Sequence, residues 1–128
     1  MIILAHRGYW KTVSEKNSKV SIKRAFDRGY GIESDIRDFN KNIVISHDPA
    51  DSNSINADEI FNYLSNFKDN LCFAINIKSD GIADNILELL AKYNIKNYFC
   101  FDMSIPQMIY YCEQGLNVFC RQSEYEKE

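Results

Sequence analysis

Glycine and proline are scarce in this sequence, five and two among 128 residues. With 45% apolar residues available for a core, that scarcity excludes a disordered or fibrous chain. Long hydrophobic runs are missing too. The longest, Met1–Ala5, falls far short of the ~20 residues of a membrane helix, and it lacks the charged leader and cleavage pattern of a secretory signal. Charge of one sign is nowhere concentrated. The 15 basic and 18 acidic residues are interspersed, so no basic tract invites nucleic acid and no acidic tail suggests an interaction arm. The expectation is one soluble, cytoplasmic domain over residues 1–128, without a transmembrane segment or a nucleic-acid partner.

No two cysteines stand two residues apart. Cys72, Cys100, Cys112 and Cys120 are too unevenly spaced for a zinc site. Cys72, Cys100 and Cys120 lie in the apolar stretches Leu71–Ile77, Tyr98–Phe101 and Val118–Cys120, where a reduced cysteine acts as a small hydrophobe. A glycine-rich phosphate loop is also lacking, which leaves an open nucleotide-binding fold without support.

What is present is alternation. Short apolar runs at Ile2–Ala5, Gly31–Arg37, Ile43–Ser46, Leu71–Ile77, Asn97–Phe101 and Leu116–Arg121 read as strands. Between them, Ser18–Arg28 predicts a helix with Val20, Ile22, Ala25 and Phe26 inward, stopped by Gly29. Ala57–Phe67 and Ile82–Tyr93 carry apolar stripes at helical spacing. A last helix starts at Ser104 with Pro106 in its first turn and ends at Gly115. Strands alternating with helices imply parallel pairing through crossovers, an α/β protein.

The polar exceptions gather at strand ends. His6–Arg7–Gly8 follows the first strand, Glu33 and Asp35 share one face of the second, His47–Asp48 follows the third, and Asn76 with Lys78 closes the fourth. Asp102 follows the fifth. In parallel α/β folds this is the rim where ligands bind. Two carboxylates aimed at one spot repel unless a cation offsets them, and Mg²⁺ or Ca²⁺ prefers such oxygens. Two histidines beside them could serve as acid and base near neutral pH, and the arginine fork suits phosphate oxygens. The set points to phosphate-ester chemistry.

The string His6–Arg7–Gly8, Asn17–Ser18, Ala25, Gly29, Glu33–Ser34–Asp35 and His47–Asp48 resembles the glycerophosphodiester phosphodiesterase family, whose signature is His-Arg, a Glu-x-Asp pair and a later His. Related sphingomyelinase D-type lipases use a similar constellation, so the resemblance leaves the phosphodiester open. It implies a (β/α)₈ barrel of the TIM type. It also implies catalytic roles for His6 and His47, a Mg²⁺ or Ca²⁺ ion held by Glu33 and Asp35, and Arg7 and Lys78 near the phosphate of a small phosphodiester of lipid metabolism.

Two features depart from the family pattern. Asn76 stands where the family commonly supplies a third carboxylate, which predicts weaker metal affinity; Asp102 and Glu124 are the candidates to compensate. The chain also offers about six βα units, whereas a closed barrel typically needs about 250 residues. An incomplete barrel is therefore expected, either a fragment or a short form, with open sheet edges suited to homodimerisation. The alternative function is an inactive phosphate-binding or structural remnant of the same fold.

Overall fold

The computed structural model describes residues 3–67 and 71–119. In chain order the elements are β1 (Leu4–His6), a 3₁₀ turn (Val13–Glu15), α1 (Lys19–Asp27), β2 (Gly31–Phe39), β3 (Asn42–Ile45), β4 (Ile55–Asn56), α2 (Ala57–Ser65), β5 (Phe73–Ile77), α3 (Ala83–Lys92), β6 (Tyr98–Phe101) and α4 (Ile105–Glu113). No described helix is long and apolar enough to cross a membrane.

Local chemistry sets the helix ends. Ser18, Asn56 and Ser104 accept backbone N–H bonds at the starts of α1, α2 and α4, satisfying donors that have no partner inside the helix. Gly29 follows α1 at φ +77°, a left-handed conformation that costs glycine little. Ile22, Ala25 and Phe26 are buried as the periodicity predicts, but Val20 is 55% exposed and Ser21 takes the inward position. Ser21 faces the chain after β1, and its Oγ donates to Ser18 O (3.0 Å) and Arg7 O (3.3 Å). A valine there would leave those carbonyls without this donor.

Four strands run parallel among the described residues: β1 beside β2, β2 beside β5, and β5 beside β6. The expected six parallel strands are not formed by the described residues. Ile43–Ser46 instead becomes an antiparallel partner of β2, with Ile45 opposite Ile36 and Asn42 opposite Phe39. A parallel neighbour would need a crossover of a dozen or more residues, and the short stretch from Arg37 to Ile43 leaves room only for a hairpin. Asn40 and Lys41 both take positive φ, +48° and +67°, the conformation a two-residue hairpin turn demands. The short β4, which was not anticipated, pairs antiparallel with β3. Leu116–Arg121 supplies one parallel bridge, Val118 to Cys100; Cys120, Arg121 and Glu124 lie outside the described residues.

The sheet order is β4-β3-β2-β5-β6, with β1 added to β2. The sheet is open; a closed TIM barrel is not formed by the described residues. One edge of β2 is shared end to end. β1 pairs with Gly31–Glu33 and β3 with Ile36–Phe39, so Ser34 and Asp35 fall in the gap between two strands.

The sheet's two faces differ. Ile32, Ile36, Phe73, Ile75, Ile77 and Cys100 form a buried cluster with Ile22 and Phe26 of α1, Ile60 and Phe61 of α2, Ile86 of α3 and Tyr111 of α4. Phe61 meets Phe73 at 5.3 Å between ring centroids. Burying these side chains stabilises the fold by roughly 1.5–3 kcal/mol each. Cys72 and Cys100 are buried as expected, and burial pushes the Cys100 thiol up to about 12. Cys112 is exposed. The other face carries His6, Glu33, Asp35 and Asn76, whose registers place them side by side.

Candidate active site

The first site residue ends β1, rather than following it as expected: His6 is the last residue of the strand, opposite Glu33. Arg7 and Gly8 then turn the chain at φ +57° and +90°. A Cβ on Gly8 would lie 2.4 Å from Ser21 Oγ, so only glycine lets the turn lie against α1. Arg7 N–H donates to Glu33 O (2.6 Å), and Tyr9 N–H to Ser21 O (2.8 Å). Trp10 Nε1 donates to His6 O (3.0 Å) while Lys16 sits 4.7 Å over its ring. The loop is thus tied to both β2 and α1.

His6 Nε2 lies 2.9 Å from Glu33 Oε2, with the imidazole 63% exposed and the carboxyl largely buried. Burial, then the neighbouring Asp35 charge, pushes Glu33 up to about 7, against the opposing pull of Arg7 and Lys78. Partial burial and the Arg7 charge hold His6 below its ordinary value. Both groups are drawn toward their neutral forms, so near pH 7 the contact is not a full ion pair.

Asp35 is fully buried and heavily supported. Asn17 Nδ2 donates to Oδ2 (3.0 Å), Arg7 Nε lies 3.0 Å from the same oxygen, and Lys78 Nζ lies 3.7 Å from Oδ1. Lys78 is fixed just past β5 by its N–H to Ile36 O (2.9 Å). Three acceptor oxygens have no hydrogen-bond partner among the described residues: Glu33 Oε1, Asp35 Oδ1 and Asn76 Oδ1. Buried polar atoms left this way are costly, and oxygens of this kind are the type that could hold a hard cation. No group of three His, Cys, Asp or Glu that could hold a metal occurs among the described residues.

His47 reaches the rim by the hairpin. β2 runs on to Phe39, β3 returns, and Ser46 N–H donates to Asp35 O (3.0 Å), so the next residue stands at the level of Asp35. His47 Nδ1 lies 3.2 Å from Asp48 Oδ1. Arg37 Nε donates to Ser46 O (3.1 Å) and its Nη2 to His47 O (2.5 Å). Asp102, at φ +67° after β6, adds its charge to the forces raising Glu33. Beside Arg7 and His47 opens a cleft of about 680 Å³, lined also by Lys16, Asn17, Ser18 and Ser46. A larger cleft of about 990 Å³, lined by Leu71 and Asn97, lies at the opposite end of the strands, away from these groups.

The sequence reading named His6, Arg7, Glu33, Asp35, His47, Asn76, Lys78 and Asp102, and the fold brings them to one end of the sheet. It gave no role to Asn17, Ser34 or Arg37. Arg37 shares a period-two face with Glu33 and Asp35, and its hydrogen-bond partners are backbone carbonyls of the hairpin.

No protein-family model and no curated protein matches the chain. Among solved structures it is similar to the crystal structure of a "putative glycerophosphodiester phosphodiesterase" from Galdieria sulphuraria, with a TM-score of 0.75 at 17% sequence identity. The match covers 93% of this chain and 63% of that one, so the chain spans less than two thirds of that structure's length and the likeness is one of fold.

Proposed function

We propose that this chain, a single domain over residues 1–128, carries the catalytic rim of a phosphodiester hydrolase, or of an enzyme making the corresponding intramolecular transfer. Its substrate would be a small phosphodiester such as a glycerophosphodiester. The observation that carries the reading is the gathering of His6, Glu33, Asp35 and His47 on one rim beside three buried oxygens that have no hydrogen bond among the described residues. The fold likeness to a structure bearing that family's name supports it.

Glu33, Asp35 and Asn76 would hold a Mg²⁺ or Ca²⁺ ion, and Asp102 stands near enough to influence it electrostatically. Such an ion supplies polarisation of the phosphoryl oxygens. Arg7 and Lys78, both beside Asp35, bring positive charge to the phosphate. His6, kept neutral by its surroundings, is the base that takes the nucleophile's proton. His47, its Nδ1 against Asp48 Oδ1, is the acid that protonates the leaving alkoxide. The free thiols of Cys72, Cys100 and Cys112 support a reducing, cytoplasmic setting.

Hydrolysis of a glycerophosphodiester in the presence of Mg²⁺ is the test, with His6→Ala as control. Turnover well above the control is expected, and wild-type activity equal to it overturns the proposal. A second reading draws on the pair of cations at Asp35: the rim binds phosphate without turning it over. Phosphate binding with no hydrolysis would favour it.

A further inference from the structure

Between the end of β1 and the end of β3, this edge of β2 at Ser34 and Asp35 has no strand beside it. Asn17 occupies that gap. Its backbone sits at φ +58°, a left-handed conformation that asparagine tolerates better than most residues, and its N–H donates to Arg7 O (2.8 Å). Its amide bonds to residues whose side chains leave opposite faces of the sheet. Nδ2 donates to Asp35 Oδ2 (3.0 Å) on the site face, and Oδ1 accepts from Ser34 Oγ (2.6 Å) on the helix face. Ser34 and Asp35 are both fully buried.

We infer that Asn17 is a positioning residue that decides which oxygen of Asp35 is offered to a ligand. The amide has one donor end and one acceptor end. An ionised Asp35 only accepts, so the donor end must face it and leave the acceptor end to the Ser34 hydroxyl, whereas the flipped amide would set two acceptors against each other. With Oδ2 held by Asn17 and Arg7, Oδ1 is the oxygen left without a hydrogen bond, facing Lys78. Without Asn17 the carboxylate is free to turn toward Arg7, and the three-oxygen seat loses a member. Partners one step removed from a ligand commonly change metal affinity by roughly 10- to 100-fold. The inference rests on the metal reading above only for the identity of the ligand.

Asn17→Gly removes the amide while keeping a residue at ease with positive φ. Two measurements are compared with wild type: the metal-free crystal structure, and Mn²⁺ affinity by calorimetry well below the melting temperature. The expected results are an Asp35 carboxylate rotated so that Oδ1 no longer faces Lys78, and Mn²⁺ binding weakened roughly tenfold or more. An Asp35 carboxylate unmoved in the variant overturns the inference. If wild type binds no Mn²⁺, the metal reading falls by itself, and the carboxylate's orientation still decides the role of Asn17. Should Asn17→Gly fail to fold, Asn17→Asp puts an acceptor where the Nδ2 donor stood and keeps the bond from Ser34. A turned Asp35 is again expected there, and an unmoved Asp35 overturns the inference.

Discussion

Asp35 and Asn76 stand directly opposite each other on β2 and β5, and each buries an oxygen that has no hydrogen bond among the described residues. Together with Glu33 the pair is the cation site proposed above, with an amide in place of a third carboxylate. Mg²⁺ or Ca²⁺ is therefore expected to raise the melting temperature, as a ligand selective for the native state must. Glu33→Gln combined with Asp35→Asn should abolish the shift, and Asn76→Asp should strengthen binding on the order of tenfold. Without metal, Asn76→Asp should lower the melting temperature, because it sets a second charge beside Asp35. Thermal melts with and without metal read all of these, and an equal metal shift in the double variant would place the ion elsewhere.

Activity should follow a bell-shaped pH profile whose limbs report the His6–His47 pair. His6 is held below its ordinary value, so the rising limb should lie below about 6.5, where an unperturbed imidazole would place it. A rate flat from about pH 5 to 9, a window bracketing the free imidazole value, removes both histidines from the mechanism.

Arg37 ties down the two carbonyls that bracket the approach to His47. Lysine keeps the charge but loses the planar fork. Arg37→Lys should lower kcat on the order of tenfold with KM little changed, as misplacement of an acid would. A fall confined to KM would mean that Arg37 serves substrate binding instead.

Asp58, in the first turn of α2, accepts from Lys92 Nζ (2.8 Å) and Tyr93 OH (2.9 Å) at the end of α3. The Lys92 hydrogen bond comes first among the causes that hold Asp58 below the ordinary 3.8. A depressed carboxyl stabilises the fold above its unfolded value, and that stability is lost as pH falls through the folded value. Asp58→Asn should cost about 0.5–1 kcal/mol at neutral pH, the range for exposed pairs. In strong acid the difference from wild type should vanish, and a difference that persists there would deny the link. Chemical denaturation across the acid range measures it.

The outer edge of β1 is unpaired among the described strands, and Ile3 beside it is 48% exposed. Such an edge templates pairing with a second copy. Light scattering at micromolar concentration should find a dimer or larger species, and Ile3→Lys should shift it toward monomer. A monodisperse wild-type monomer overturns this expectation.

Helices and parallel strands were legible in the sequence because each answers to a local rule: apolar spacing, a cap, a stop glycine. The β2–β3 hairpin was not, because Asn40–Lys41 lacks the glycine that usually signals such a turn. Ser21 took the inward place of Val20 because it bonds a loop distant in sequence, a demand that periodicity cannot carry. The site residues themselves were legible as a spaced string. What holds them was not: Asn17 and Arg37 act on partners across the fold, and nothing in their immediate neighbours announces it.

The hairpin has a consequence for the order of assembly. By folding back at Asn40–Lys41, the chain delivers His47 next to Asp35 without waiting for another helix and strand to cross over. His6, Arg7, Asn17, Glu33, Asp35 and His47 therefore all come from the first strand–helix–strand unit and the turn that follows it. Contacts so near in sequence close quickly, since little loop entropy is lost before they form. Most of the rim can be in place while β5 and β6 are still joining the sheet, and only Asn76, Lys78 and Asp102 arrive late.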